Sequence, residues 1–276
     1  MKKQITNDRQ MNYSFANLVK NAVLTVFIIS ISINVACGQL AMLYENRKVG
    51  LNYVTASWGL SQKGGGCGPF DLLPVTLTIS GIPAGSVIEK AYIWWAQNGD
   101  DAANTITVKN PATYNIPGTK IGYCMDYGWG WNGGTHFRAD VTSAVTAAMN
   151  GNYEISGLPQ CPFMTCFGIG PGISNDTQGL TMMVIYSRAS ASFCGTLVIY
   201  DGMFDGVCAF NMPTQNITSS YSACTTPTNA RGFMMSADLQ QYAPPALGVI
   251  ANSPSTDLSA QSYYCFWGSF DVATTV

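Results

Sequence analysis

The chain has 276 residues, a formal net charge of −2, and 10% charged against 47% apolar residues. Charged residues usually supply about 25% of a soluble domain, so polarity here rests on neutral groups such as Thr, Ser, Asn and Tyr. That balance argues against a cytosolic enzyme and against a disordered tail. With no basic patch or arginine cluster, it also argues against nucleic-acid binding.

Residues 1–38 read as a leader. Lys2, Lys3, Arg9 and Lys20 precede an apolar run over 22–35, and the small residues Ala36, Cys37 and Gly38 follow. This is the grammar of a secretory signal peptide, and the run is short of the ~20 residues a membrane span needs. Cleavage is expected after Gly38, which leaves Gln39 as the new terminus and the protein outside the cell. A lipid anchor at Cys37 is the competing reading, disfavoured by Asn34 where an apolar residue is expected.

Without the leader the net charge becomes −5 and eight cysteines remain: Cys67, Cys124, Cys161, Cys166, Cys194, Cys208, Cys224 and Cys265. An even count behind a signal peptide predicts disulfides formed in an oxidising compartment. Cys161 and Cys166 are the first expected pair, since Pro162 and a short loop keep them near. Zinc is set aside, because there is no Cys-x-x-Cys pair and His136 is the sole histidine.

From 39 to 70 the pattern is irregular, with a first strand expected over 51–58. The glycine loop over 64–68 precedes no helix and is not read as a phosphate cradle. Residues 75–80 alternate with Val75, Leu77 and Ile79 inward. The stretch over 87–97 organises the rest. Its two period-two faces, Ala91, Ile93 and Trp95 on one side and Ile88, Tyr92 and Trp94 on the other, predict a strand covered on both sides.

Strands are next expected over 105–109, with Ile106 and Val108 inward, and over 121–127. His136 to Asp140 reads as a short strand that runs into one helix over 141–149, capped by Asp140 or Thr142. Strand resumes over 152–156. After a loop over 157–179, two apolar strands follow over 180–186 and 196–200. The signal then weakens until 260, apart from an apolar strand near 247–251, and a last strand spans 263–272. With no repeat and no linker, the expectation is one domain over 39–276. Its expected fold is an all-β antiparallel sandwich with one short helix, stapled by disulfides.

Three pieces, in this order, carry a resemblance: Ile88-Glu-Lys-Ala-Tyr-Ile-Trp-Trp95; Phe137-Arg-Ala-Asp-Val-Thr142 with Gly151-Asn-Tyr-Glu-Ile155; and Gly179-Leu-Thr-Met-Met-Val-Ile-Tyr186 with Leu197-Val-Ile-Tyr-Asp-Gly202. Together they resemble a β-sandwich domain of unassigned function from secreted bacterial surface and adhesin-like proteins. The resemblance implies a surface location and a jelly-roll-like sandwich, with no catalytic residues to carry over. This chain is richer in cysteine than that family leads one to expect, and it stops where such proteins continue into further modules.

No motif specifies a reaction, so a non-catalytic protein is expected. His136, Arg138 and Asp140 share one strand face, which is either a polar site or, more simply, a solvent-facing edge. Asp100, Asp101, Asp201 and Asp205 are oxygen donors beside loops that would suit Ca²⁺, although no spaced Asp-x-Asp-x-Asp loop is present. No other cofactor is expected. Tyr127, Trp129 and Trp131 lie among glycines just before His136, where aromatic rings can stack on a sugar or fold back over the sandwich end.

The leading expectation is a structural or adhesive surface protein that associates with itself or with other surface proteins as a fibre or layer. The scarcity of charge and an exposed edge at the last strand motivate it. A carbohydrate-binding module built on the aromatic loop is the first alternative, and a secreted hydrolase using aspartates or His136 is the second.

Overall fold

In a computed structural model of the chain, the described residues are 40–60, 73–98, 104–124, 134–160, 177–202, 229–237, 248–250, 255–257 and 267–275. They form fifteen strands and one short helix. In chain order these are β1 (Ala41–Val49), β2 (Asn52–Gly59), β3 (Val75–Ile79), β4 (Val87–Asn98), β5 (Thr105–Lys109), β6 (Thr113–Pro117), β7 (Thr119–Cys124) and β8 (Gly134–Asp140). Helix α1 (Thr142–Thr146) follows, then β9 (Gly151–Ser156), β10 (Thr177–Ser187), β11 (Cys194–Asp201), β12 (Asn229–Ala237), β13 (Gly248–Ile250), β14 (Ser255–Asp257) and β15 (Trp267–Thr275).

All pairings are antiparallel. A five-stranded sheet has the order β2-β10-β4-β8-β7, and a four-stranded sheet has the order β3-β9-β5-β6. Ribbons β1-β11, β12-β15 and β13-β14 complete the set. The chain crosses repeatedly between the two larger sheets, and alternation explains why they bury a common core. From the four-stranded sheet come Val75, Leu77, Ile79, Ile106, Val108, Tyr153 and Ile155; from the five-stranded sheet come Ala91, Ile93, Trp95, Phe137, Ala139, Leu180, Met182 and Val184. Trp95 and Phe137, which are direct cross-strand partners, stack at 5.4 Å between centroids.

The second face of the five-stranded sheet is also covered, so the layering goes beyond the two sheets expected from the sequence. Tyr53, Tyr92, Trp94, Met183 and Ile185 bury a separate cluster with Ile199 of β11, and Leu43, Tyr44, Leu197, Phe233 and Met235 pack against it. Ribbon β1-β11 and strand β12 therefore lie over this face. Strand β10 is buried along its whole length and β4 from Ala91 to Gln97. A strand with two apolar faces, as expected for 87–97, is what such layering demands.

One face assignment changes. Period two groups Ile88 with Tyr92 and Trp94, but Ile88 lies in the core with Ala91 and Ile93. The cause is a bulge: Lys90 pairs with Ile185 and Ile88 with Tyr186, so Glu89 is the extra residue and inverts the alternation beyond it. Val87, past the bulge, is exposed.

The helix is shorter than the expected 141–149, with Ala144 and Val145 buried. Asp140 Oδ1 accepts from the Thr142 N–H at 3.0 Å and from the Thr142 hydroxyl, which ties strand β8 to the helix start. Strand β1 falls where the sequence reads as irregular. It pairs along β11 with a bulge at Leu43, which breaks the alternation that would have announced it. Strands β6 and β12 likewise occupy segments read as loop.

Candidate functional site

Beneath the β1-β11 ribbon lies a polar cluster that joins three strands. Trp94 on β4 and Arg138 on β8 are cross-strand partners, and Asp201 ends β11 above them. The Trp94 indole N–H donates to Asp201 Oδ2 at 3.1 Å and Arg138 Nη1 donates to the same oxygen at 2.5 Å. The Arg138 guanidinium also lies 5.9 Å from the Tyr92 ring centre, and Tyr92 and Trp94 rings are 5.5 Å apart. With side chains only 21% and 10% exposed, the Arg138–Asp201 pair is largely out of water, where an unpaired charge would be costly.

A second pin holds the other end of the ribbon. Lys48 of β1 donates to Glu89 Oε1 at 2.6 Å, and the Ser187 hydroxyl donates to the same oxygen. Burial alone would push the Glu89 carboxyl up, but the hydrogen bonds from Lys48 and Ser187 and the Lys48 charge outweigh it and hold it below the usual range. Asp140 behaves in the same way. Burial raises it, while the Thr142 hydroxyl, the Lys90 ammonium at 2.9 Å and the Thr142 N–H together bring it below the usual range. Lys109 and Glu154 close a fourth pair at 3.3 Å, across β5 and β9.

These contacts redistribute the residues singled out from the sequence. His136, Arg138 and Asp140 do lie on one face of β8, since Thr135, Phe137 and Ala139 are buried on the other. They do not combine into one constellation. Arg138 goes to Asp201, Asp140 goes to Lys90 and Thr142, and His136 is half-buried opposite Ala96 of β4 and Gly122 of β7. The bland reading of a fully solvent-facing edge fails for Arg138.

Asp201, expected as an oxygen donor for calcium, accepts from a guanidinium and an indole through Oδ2. Among the described residues there is no group of three or more His, Cys, Asp or Glu placed to hold a metal. Asp100, Asp101, Asp205, Tyr127, Trp129 and Trp131 lie outside the described residues, as do Cys67, Cys161, Cys166, Cys208, Cys224, Cys265 and the leader. For Cys124 only the backbone is described.

None of the four ion pairs described above is signalled in the sequence. Their partners are far apart in the chain, so no local spacing signals them. Only the register of β4 against β8 brings Trp94 to Arg138. Comparisons with protein-family models, with curated proteins and with solved structures found no match.

Proposed function

We propose that the protein is a non-catalytic extracellular surface protein, structural or adhesive, that self-associates. One observation carries the reading. Each of the carboxylates Glu89, Asp140, Glu154 and Asp201 is engaged by a basic side chain from a different strand, an arrangement that holds strands together. General acid–base chemistry would call for carboxyls converging on a cleft. Association is supported by exposed apolar side chains, with Met42 56%, Val49 45%, Val87 59% and Phe193 49% exposed on a chain poor in charge.

In this reading the core is a jelly-roll sandwich. Its support is the strand order: β2-β10-β4-β8 in one sheet and β3-β9-β5-β6 in the other, with β2 to β5 and then β8 to β10 crossing between them in turn. The cysteines staple it, and support comes from Cys194 at the start of β11, which is disulfide-bonded. The leader over 1–38 directs export.

The test is light scattering and electron microscopy of the disulfide-intact protein over a wide concentration range. Concentration-dependent oligomers or fibres are expected. A monodisperse monomer at every concentration and salt level would overturn the self-association and leave a solitary module.

A further inference from the structure

We propose that the end of the sandwich core where β4 runs between β8 and β10 is a site for internal water, bound by the Gln97 carboxamide and the Trp95 indole N–H. The inference is independent of the self-association proposed above.

Two observations carry it. The first is a polar row inside the core. Leu180, Trp95 and Phe137 are cross-strand partners on β10, β4 and β8, and all three belong to the buried apolar cluster. Two residues further along β4, Gln97 points the same way as Trp95, because side chains alternate along a strand. The register of β4 against β8 is unbroken from Tyr92 to Asn98, so no bulge turns Gln97 away. Its partners are Thr177 on β10 and Thr135 on β8. Thr177, Gln97 and Thr135 are 0%, 1% and 0% exposed, so the core turns polar in one step without any gain in exposure.

The second is the hydrogen-bond accounting. Thr177 is satisfied, since its hydroxyl and its N–H both donate to the Pro159 carbonyl, at 2.8 and 3.0 Å. Gln97 is not. Its Nε2 and Oε1, and Nε1 of Trp95, are buried with no hydrogen-bond partner among the described residues. A carboxamide carries two N–H donors and a carbonyl acceptor, and the indole adds one more donor. Burying such groups unpaired is costly, and native proteins rarely leave them so.

Water is the occupant this set fits. The ligand must accept from N–H groups and also donate to Oε1, which a hydroxyl-bearing molecule does and a bare ion does not. Among the described residues the buried polar side chains are all Ser, Thr or Gln, so none carries a charge to balance an ion. Gln97 at 1% exposure is closed to larger solutes, whereas one internal water typically makes about three such bonds.

The test is ¹⁷O relaxation dispersion of water in solutions of the disulfide-intact protein. It counts water oxygens held for longer than the protein takes to tumble, and it is blind to threonine hydroxyls. The parent is compared with Gln97→Met, which keeps the side-chain length and removes the amide. A loss of about one long-lived water is expected, with a urea midpoint that does not rise.

An unchanged count would overturn the proposal. So would a raised midpoint, which is what removal of a dry, unpaired carboxamide gives. If Gln97→Met does not fold, the parent decides. Nuclear Overhauser contacts to water are then expected from the Gln97 carboxamide and Trp95 indole protons, and their absence would overturn the site.

Discussion

Trp94 and Arg138 face each other across β4 and β8 and donate to the same oxygen, Oδ2 of Asp201 on the overlying ribbon. The pair thus couples two neighbouring strands of the central sheet to a third strand in another layer. Asp201→Ala leaves the mostly buried guanidinium without its counter-charge, and a loss of about 3 kcal/mol is expected. The double variant Asp201→Leu with Arg138→Met removes both charges and is expected to recover most of that loss. Urea unfolding midpoints of the single and double variants check this, and equal losses in both would contradict the account.

A second prediction concerns Gly118, whose N–H donates to the Asn104 carbonyl and whose carbonyl accepts from the Asn104 side chain at 3.0 Å. A Cβ at Gly118 would overlap the six-membered ring of Trp95 and lie 2.9 Å from the Asn104 carbonyl oxygen. Gly118→Ala is therefore expected to destabilise by about 1–3 kcal/mol through overpacking. Adding Trp95→Phe makes room and removes an indole N–H that is buried without a hydrogen-bond partner among the described residues. The double variant should be less impaired than the sum of the two single variants, as measured by thermal unfolding.

Acid stability gives a third. Glu89 and Asp140 both have carboxyls held below the usual range in the folded state. Their contribution is complete above their unfolded values, near pH 4, and is lost as pH falls through the lower folded values. Lys90, raised chiefly by its hydrogen bond to Asp140, works in the opposite sense and contributes until pH climbs above the ordinary lysine range. Because Lys90 and Asp140 are about two-fifths exposed, that pair is worth under about 1 kcal/mol. Glu89→Gln with Asp140→Asn is expected to flatten the decline in unfolding midpoint between neutral and acid pH. An unchanged slope would count against it.

At the alkaline end the relevant group is Tyr153, fully buried, whose hydroxyl donates to the Met149 carbonyl at 2.7 Å. Burial pushes this phenol up to about 12. A group whose folded value is raised contributes fully below its unfolded value, about 10, and the contribution disappears as pH rises towards 12. Tyr153→Phe should lose about 1 kcal/mol at neutral pH with the hydrogen bond. It should also unfold less steeply with pH above 10 than the parent, as followed by circular dichroism.

The sequence was most informative where side-chain period and layer agree. Val75, Leu77 and Ile79 alternate and point inward, and the apolar run of β10 is buried throughout. The two-faced pattern of β4 correctly announced cover on both sides. Legibility failed where bulges reset the period, at Leu43 in β1 and Glu89 in β4. It failed again where a strand has little to bury, as in β6, whose side chains are partly or wholly exposed. The polar cluster was hidden for a different reason. His136, Arg138 and Asp140 share a face as period two required, but their partners Asp201 and Lys90 come from other strands, which only long-range register brings near.

The place of β10 between β2 and β4 fixes an order of events for the chain. Asn52 pairs with Tyr186 and Gly59 with Gly179, while Ala91 pairs with Val184 on the other flank. Until residues 177–187 are available, β2 and β4 have no common partner, since one strand's width, about 5 Å, must be filled between them. A chain emerging from its N-terminus therefore has no central sheet to close over its core. That sheet can close only once Ser187 has been made, about two thirds of the way along the chain.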